Sequence, residues 1–514
     1  MTRSFSLGVL SFLVAAGVAV VGCGSTSSGN NTTSTSGSPS GSGGGGVGGG
    51  DVGGGVNTGG GDTGGGSSPS GTSSTATGTG GGAPAGSLCP FSIFDPTPGG
   101  KWQKVQDASI SVTTHWDSGQ VWLVQQTVEF DAAGDGAAAP ELIIEEGTTV
   151  CFASGAQLRI GPSHGAKVTI TGSAGKPVIF TAEAGDGGLP SYWSGLEINN
   201  FDPASQFKYL NILYAGPGGG GATPALAVAA TSAGKLLLDH VTVDQVQSKG
   251  LSFLGPDGLD SASKVTFNGY APTVPGSPPL LQAVEADIVA SGTLSPSVLT
   301  LNTANIPADS AYIKIIPSPG EALYESVSWV DLGLPYRISD IAIYGDTDPA
   351  NLTINEGVTV QPTGSFTLGN PDLAGEYGNI IVKGTAAKPV RFTSAESTPA
   401  KGDWGTFYFL DQGFDPAVSS FDNAIIEYGG TSTLTVFSDT DDSNGNGLIE
   451  VSASGCFAGP KMTNTTLQHS ASDGVRVNYG PTAGDYLTTD YSGLTYNDIT
   501  GTKYPPAPPA NACP

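Results

Sequence analysis

Short runs of alternating apolar and polar residues recur from about residue 100 to residue 500. They are rich in Val, Ile and Thr, and Gly, Pro, Asn and Asp lie between them. No convincing helical period occurs outside the apolar N-terminal segment. The pattern therefore predicts an all-β protein built from short strands. Examples of such runs are "QLRI" (157–160), "KVTI" (167–170), "GLEI" (195–198) and "VTV" (241–243).

The strand pattern occurs twice along the chain. "LIIEEGTTV" at 142–150 aligns with "LTINEGVTV" at 352–360, and "KPVIFTAE" at 176–183 aligns with "KPVRFTSAE" at 388–396. A β-sandwich of ordinary size contains at most about 250 residues. A solenoid can grow further because each coil contacts only its neighbours. We therefore predict a single solenoid with a superperiod of about 210 residues, in two units at 89–310 and 311–514.

These repeated phrases resemble a known family. The "W…PY" start (Trp329, Pro335, Tyr336), the "EG-x-T-V" turn and the "KPV-x-F-T" phrase resemble right-handed parallel β-helix proteins of the pectin-lyase type, which are found in many bacterial surface proteins. The resemblance spans roughly 110–500 and implies that the phrases mark coils of the helix and are not catalytic motifs. The stretch 255–325 fits least, so we expect loops or a distorted coil there.

The N-terminus has the layout of an export signal. Arg3 precedes the apolar run "LGVLSFLVAAGVAVV", which ends in "VVGC" with Cys23 as its last residue. This resembles a bacterial lipoprotein signal, which implies a signal peptide at 1–22 and acylation of Cys23. Gly24, where such lipoproteins of the inner membrane carry Asp, implies the outer membrane, facing the periplasm or the cell surface. An ordinary secretory signal with a chance cysteine is the alternative.

Residues 23–88 are nearly all Gly, Ser and Thr, and such a segment cannot bury enough apolar area to fold. A flexible coil of this length spans about 45 Å, which suits a tether between a lipid anchor and a folded domain.

Composition restricts the partners and the compartment. The net charge is −26 with only 19 basic residues, so nucleic acid is excluded as a partner and the membrane is reached only through the lipid. Cys89, Cys151, Cys456 and Cys513 form an even set, which predicts two disulfides in an oxidising compartment. Since residues distant along a solenoid are distant in space, we predict the pairs Cys89–Cys151 and Cys456–Cys513.

The basic and aromatic residues indicate no catalytic site. Each strand arginine alternates with apolar neighbours and is expected to point outward alone; these are Arg159, Arg337, Arg391 and Arg476. His240, Thr242 and Asp244 alternate on one predicted strand face, but positions four apart are about 13 Å apart, so we interpret them as polar surface. Trp193 and Trp404 recur at matching positions and are predicted core residues, with sugar stacking as the alternative.

The acidic insertion "SDTDDSNGNGLIE" (438–450) is a candidate calcium loop. Asp442, Asn444, Asn446 and Gly447 match the D-x-[DN]-x-[DN]-G core of such loops. The closing bidentate Glu is missing from its usual position, so Asp439, Asp441 or Glu450 would complete the shell. A solvated turn, chosen for its backbone freedom, is the alternative.

The sequence therefore favours an envelope-anchored β-helix lipoprotein that acts as a non-catalytic binding or scaffold module for a glycan or protein ligand. An exported carbohydrate-active enzyme, either a polysaccharide lyase or a hydrolase, is the alternative. A strand face lined with exposed aromatic residues would favour glycan binding, whereas three or more carboxylates beside an arginine in one groove would favour the enzyme.

Overall fold

The computed structural model describes most of the chain from residue 89 onward, and the described residues lie in one compact unit, Thr77–Pro514. The predicted signal peptide, Cys23 and the tether lie outside them. The described residues are 89, 101–183, 193–216, 223–229, 234–255, 259–272, 279–317, 322–345, 347–370, 376–410, 413–431, 447–453, 455–479, 486–510 and 512–513.

Forty short strands and one short α-helix make up the regular structure of these residues. The elements of the first half are β1 (Trp102–Lys104), β2 (Ser109–Ile110), β3 (Thr114–Trp116), β4 (Val121–Val124), β5 (Val128–Phe130), β6 (Glu141–Ile144), β7 (Thr149–Phe152), β8 (Gln157–Ile160), β9 (Lys167–Thr171), β10 (Val178–Ala182), β11 (Gly195–Ile198), β12 (Gln206–Lys208), β13 (Leu210–Leu213), β14 (Pro224–Ala229), β15 (Leu238–Asp239), β16 (Val241–Asp244), β17 (Lys249–Leu254), β18 (Val265–Phe267), β19 (Val284–Asp287), α1 (Ile288–Ser291) and β20 (Leu299–Leu301). A 3₁₀ turn at Thr303–Asn305 follows. The second half contains β21 (Ile313–Ile316), β22 (Ala322–Leu323), β23 (Val327–Trp329), β24 (Tyr336–Ile338), β25 (Ile341–Ile343), β26 (Ala350–Asn355), β27 (Thr359–Pro362), β28 (Phe366–Leu368), β29 (Gly378–Lys383), β30 (Val390–Phe392), β31 (Phe407–Phe409), β32 (Ser420–Asp422), β33 (Ala424–Glu427), β34 (Gly447–Ala453), β35 (Cys456–Phe457), β36 (Lys461–Thr463), β37 (Thr466–Ser470), β38 (Asp473–Tyr479), β39 (Tyr486–Leu487) and β40 (Thr495–Ile499).

The strands stack into the long parallel sheets of a β-helix. One sheet of 14 strands, called here the long sheet, runs through both halves in the order β2-β5-β8-β11-β14-β17-β19-β21-β24-β27-β30-β33-β37-β40. Sheets of eight and five strands complete the coils of the first half, and sheets of six and five strands complete those of the second. Each strand pairs in parallel with the strand one coil further along, as in β5–β8 and β24–β27. The predicted parallel β-helix is confirmed.

Around the stretch 255–325, two of the three parallel sheets of the β-helix end and two new sheets begin. The eight-stranded sheet ends at β20, and the six-stranded sheet begins at β22, whereas the long sheet continues through β19, β21 and β24. Helix α1 follows β19, and its N-cap Asp287 accepts a hydrogen bond from Ala290 N at 2.6 Å. The buried Ser291 accepts a hydrogen bond from Trp329 Nε1 at 2.8 Å. The expected irregularity is therefore a short helix packed against the core, and the long sheet crosses it unbroken.

Apolar side chains of successive coils stack along the helix axis and form one core. Trp193 and Trp404 are fully buried in it, and each indole N–H donates to a backbone carbonyl of the next coil, at 2.9 and 2.8 Å. Phe152 stacks on Trp193 with ring centroids 4.0 Å apart, and Phe366 stacks on Phe407 at 4.8 Å. The prediction that the matching tryptophans are core residues is confirmed, and burial excludes sugar stacking on them.

Left-handed backbone conformations mark the corners of the coils at matching positions of the two units. Tyr214 and Tyr428 have φ values of 55° and 66°, and Gln245 and His469 have values of 55° and 53°. A non-glycine residue pays roughly 1–2 kcal/mol for this conformation. Stacking between neighbouring coils offsets part of this, since the rings of Tyr428 and His469 lie 4.9 Å apart and 11° from parallel.

Two disulfides lie near the ends of the β-helix. They join Cys89 to Cys151 and Cys456 to Cys513, the two predicted pairs. The C-terminal tail pairs with the edge strand β38, because Val475 N donates to Lys503 O at 2.9 Å. The tail then continues into the proline-rich stretch 505–509, which has no backbone N–H at its prolines to pair with a further strand.

Candidate functional site

A row of mostly polar side chains follows the middle of the outer face of the long sheet. From Glu129 onward, the apolar neighbours on either side of each position are buried, because successive side chains of a strand alternate between faces. Strand register aligns the outward residues of successive coils at the strand spacing of about 4.8 Å. In coil order the row contains Ser109, Glu129, Arg159, Glu197, Ala227, Ser252, Glu285, Lys314, Arg337 and Gln361.

Near its start, the row holds an arginine between two carboxylates. Arg159 contacts Glu129 through Nη1, and its Nε donates to Glu197 Oε2 at 3.0 Å. The hydrogen bond to Glu197 raises the pKa of Arg159 despite partial burial. Burial pushes the pKa of Glu197 up, but hydrogen bonds from Arg159 and Asn199 outweigh it and lower the pKa overall. The expectation that Arg159 points outward alone was wrong, because register brings together carboxylates 30 and 38 residues away.

Two further carboxylates of the long sheet also form ion pairs with basic side chains. The nearly buried Glu285 pairs with Lys249 and lies 3.8 Å from the Lys314 ammonium. Arg391, likewise expected to stand alone, pairs with Glu427. Burial pushes the pKa of Glu427 up, but hydrogen bonds from Gln468, Arg391 and a threonine outweigh it, and the pKa is lowered overall. Carboxylates held in this way are poorly placed to act as general bases or cation ligands. Over the described ranges, no three His, Cys, Asp or Glu residues are grouped to hold a metal ion.

A cavity of about 370 Å³ opens on the long sheet beside this row. The Arg337 guanidinium lies 3.9 Å above the centre of the Tyr312 ring, and its Nη2 donates to Gln361 Oε1 at 3.0 Å. None of the ion pairs among the described residues involves Arg337. The cavity is lined by Gln282, Tyr312, Lys314, Ile315, Ile316, Pro317, Arg337, Ile338, Ser339 and Thr363.

The cavity is cationic although the chain is strongly acidic. Lys314 is half exposed, and among the described residues its carboxylate contact is the long one to Glu285, which is shared with Lys249. Together with Arg337, which has no carboxylate partner among the described residues, the site offers two cationic groups in one opening beside the Tyr312 ring. Such an arrangement has the positive charge to pair with an anionic group.

His240 was expected to share a strand face with Thr242 and Asp244. In the structure it lies before that strand and does not share the face. It precedes β16 with a φ of 58°, and this left-handed corner turns it away from the strand that follows. Its ring lies 2.6 Å from Asp239 Oδ1 and stacks on Tyr209 with centroids 4.5 Å apart. The interpretation of His240 as part of the polar surface holds, since His240 is exposed.

Most residues of the candidate calcium loop, namely Asp439, Asp441, Asp442, Asn444 and Asn446, lie outside the described residues. Glu450 is described: it belongs to β34, in register with Tyr408 and Arg476 of the neighbouring coils. Ile449 and Val451 beside it point into the core, so Glu450 faces outward, yet it is only 1% exposed. Arg476 is therefore a further arginine aligned with a carboxylate of the preceding coil.

Sequence reasoning missed Tyr312 and Lys314 as partners of Arg337. They belong to the previous coil, and pairing of Lys314 with Arg337 is set by register between β21 and β24. Coil lengths vary, so no fixed spacing reveals such pairs. An alignment of the outward position of each coil would have been the useful signal.

Comparison with known proteins agrees with the fold. Residues 331–445 match the family of pectate-lyase-like β-helix domains, so less than a quarter of the chain is covered. No curated protein and no solved structure matches the chain. The match and the stacked parallel strands together identify a pectate-lyase-like parallel β-helix. They support a carbohydrate-related exported protein and do not decide between binding and catalysis.

Arg337 lies inside the matched segment, and Tyr312 and Lys314 lie before it. The part of the chain that is described contains no helix with the length and hydropathy needed to cross a membrane.

Proposed function

We propose that this protein is a non-catalytic glycan-binding module, and that the cavity at Tyr312, Lys314 and Arg337 receives an acidic sugar. The observation that carries the proposal is the Arg337 guanidinium, which lies on an aromatic ring and has no carboxylate partner among the described residues. A sugar carboxylate or sulfate would supply that partner. Gln282, Ser339 and Thr363 line the same opening and offer hydrogen bonds to hydroxyl groups.

Binding is favoured over catalysis because four carboxylates of the long sheet are held in ion pairs. Glu129, Glu197, Glu285 and Glu427 all contact arginine or lysine side chains. A general base must be free to take a proton at the reacting atom, and a calcium ligand must present its oxygen to the ion. Instead, these ion pairs link neighbouring coils and hold the sheet face in one arrangement.

The module would be held at the outer membrane by a lipid on Cys23, with residues 24–88 as its tether. The apolar run before Cys23 and the Gly, Ser and Thr composition of the tether support this arrangement. Metabolic labelling of cells with a palmitate analogue tests it, with a Cys23→Ala variant as the control. Unlabelled protein released into the medium would contradict the anchor.

Glycan binding is tested with the full mature chain in detergent micelles. A panel of uncharged, uronate-containing and sulfated oligosaccharides is titrated, and we expect binding to acidic members. Arg337→Gln should weaken that binding about tenfold or more, because a hydrogen bond to a charged group contributes about 1.5–3 kcal/mol. Lys383→Gln removes one charge from an exposed position of β29 and is the matched control.

Two outcomes would contradict the proposal. One is that no acidic oligosaccharide binds. The other is that Arg337→Gln and Lys383→Gln weaken binding equally, which would indicate a general charge effect. Loss of glycan binding together with specific retention of a protein from the cell envelope would favour the alternative class of ligand.

An exported carbohydrate-active enzyme is the second candidate. The observation that favours it is the family match, within which Arg337 is a basic residue beside a cavity. Incubation with uronate polymers, with and without added calcium, distinguishes the two. Appearance of an unsaturated, ultraviolet-absorbing product or of new reducing ends, lost in Arg337→Gln, would establish the enzyme.

A further inference from the structure

Three tyrosines from three successive coils meet at one corner of the β-helix. Tyr324 follows β22, Tyr344 follows β25, and Tyr377 precedes β29 in the next coil. All three lie where the six-stranded sheet passes into the second five-stranded sheet. This corner is separated from the Arg337 cavity by the short strands β22 and β25.

Backbone hydrogen bonds hold the three tyrosines next to one another. Tyr344 N donates to the carbonyl of the residue before Tyr324 at 3.1 Å, and the residue after Tyr344 donates to Tyr377 O at 3.0 Å. The rings of Tyr324 and Tyr344 are nearly perpendicular with centroids 5.1 Å apart, and their hydroxyl oxygens are 3.3 Å apart. The cluster is therefore set by the register of rigid coils.

The close approach of the third tyrosine requires a glycine. A Cβ at Gly378 would lie 1.6 Å from Ile343 O and 3.0 Å from Tyr344 N, so no larger residue fits without moving the backbone. Gly378 therefore lets the strand that starts after Tyr377 lie directly against the backbone before Tyr344. A change at this glycine would displace Tyr377 from the cluster.

The rings face solvent. Tyr324 is 46% exposed and Tyr377 is 39% exposed, and they are two of only five large apolar or aromatic side chains that are exposed among the described residues. Tyr344 lies between them and is partly exposed. A concentrated patch of this kind on an otherwise polar surface indicates a contact with another molecule.

The charge around the tyrosines indicates what that molecule is. Residues 322–330, 340–350 and 369–380 contain no Lys, Arg or His, and exposed Glu325 and Asp348 lie in these segments. Glu376 precedes Tyr377 and accepts a hydrogen bond from Asn370 Nδ2 at 2.6 Å. An acidic rim repels an anionic glycan and offers acceptors to hydroxyl groups.

We propose that Tyr324, Tyr344 and Tyr377 form a second glycan site that takes an uncharged polysaccharide along the helix axis. The C–H faces of successive sugar rings pack on the tyrosines, which follow one another at the coil spacing of about 4.8 Å. Hydroxyl groups at the ring edges meet the tyrosine hydroxyls and the acidic rim. Because the rings of Tyr324 and Tyr344 are nearly perpendicular, one of the two presents its face and the other its edge to the sugar chain.

The test measures binding of the full mature chain to uncharged glucans and mannans, as soluble oligosaccharides by calorimetry and as insoluble polymers by co-sedimentation. We expect an uncharged glycan to bind, and Tyr324→Ala and Tyr377→Ala each to weaken it about threefold to tenfold. Tyr324→Phe keeps the ring and should retain most of the affinity. Tyr504→Ala removes another exposed tyrosine, far along the chain near the C-terminus, and should change nothing.

The tyrosine site is tested independently of the Arg337 cavity. Arg337→Gln should leave binding of the uncharged glycan unchanged, and Tyr324→Ala should leave binding of the acidic sugar unchanged. The proposal is overturned if no uncharged glycan binds, if Tyr504→Ala weakens binding as much as Tyr324→Ala, or if amino-sugar polymers bind and uncharged ones do not. Thermal unfolding of each variant checks that the surface substitutions leave the fold intact.

Discussion

Removing the two disulfides should have unequal effects, although the loops they close are nearly equal. The bonds span sequence separations of 62 and 57 residues. Loop-closure entropy therefore predicts about 4 kcal/mol for each bond, with almost no difference between them. Any larger difference must come from the folded state around the sulfurs.

The surroundings of the sulfurs differ strongly. Cys89 and Cys151 are buried, and Cys151 lies in β7 between strand neighbours of the core. Cys456 is exposed and Cys513 is partly exposed. Replacing the buried pair by alanine leaves a cavity, which adds roughly 1–2 kcal/mol to the loss. We therefore expect about 5–6 kcal/mol for Cys89→Ala/Cys151→Ala and about 4 kcal/mol for Cys456→Ala/Cys513→Ala.

The location of the damage is the sharper expectation. Coils of a solenoid contact only their neighbours, so each double variant should loosen its own end. Hydrogen–deuterium exchange should rise in β4, β7 and β10 for the first variant, and in β35, β38 and the C-terminal tail for the second. Urea unfolding gives the magnitudes, and a mild reductant should reach the exposed bond first.

Equal exchange increases at both ends in either variant would refute the local picture and would indicate a single cooperative unit. Equal losses of unfolding free energy for the two variants would refute the cavity argument.

Three further outcomes are expected. The pKa of Glu427 is lowered in the folded protein, so its contribution to stability is present above its unfolded pKa of about 4.3 and is lost as the pH falls further. Glu427→Gln should therefore reduce the loss of unfolding free energy at acidic pH. Gly161→Ala should lower the free energy of unfolding by about 3 kcal/mol, since φ is +58° and a Cβ would lie 1.7 Å from a carbonyl oxygen of the next coil. Gly175→Ala is the control and should be nearly neutral, because a Cβ there meets open space. Comparable thermal unfolding of the two variants would contradict this. If the loop 438–450 binds calcium, calorimetry on the full chain should show binding at about 10⁻⁴ to 10⁻³ M that Asp442→Ala removes, and an unchanged signal would eliminate the site.

The sequence by itself determined the class of fold, because that class depends on local and periodic properties. Alternation at period two, glycine and proline at the turns, and the doubled "KPV" phrase all follow from what each coil needs in its own strands and corners. The burial of Trp193 and Trp404 was predictable for the same reason, since matching core positions repeat with the unit. The disulfide pairs followed because distance along a solenoid tracks distance in space.

Only the tertiary structure decided which outward residues meet. The coils differ in length, so Arg159 finds carboxylates 30 and 38 residues away, and Arg337 finds Tyr312 through the register of β21 with β24. His240 left its expected strand face because one left-handed φ angle turns the chain at that residue. The alternating pattern within each strand specifies which side chains point inward. Contacts between outward side chains depend instead on the lengths of the turns between coils, and no local sequence pattern predicts those contacts.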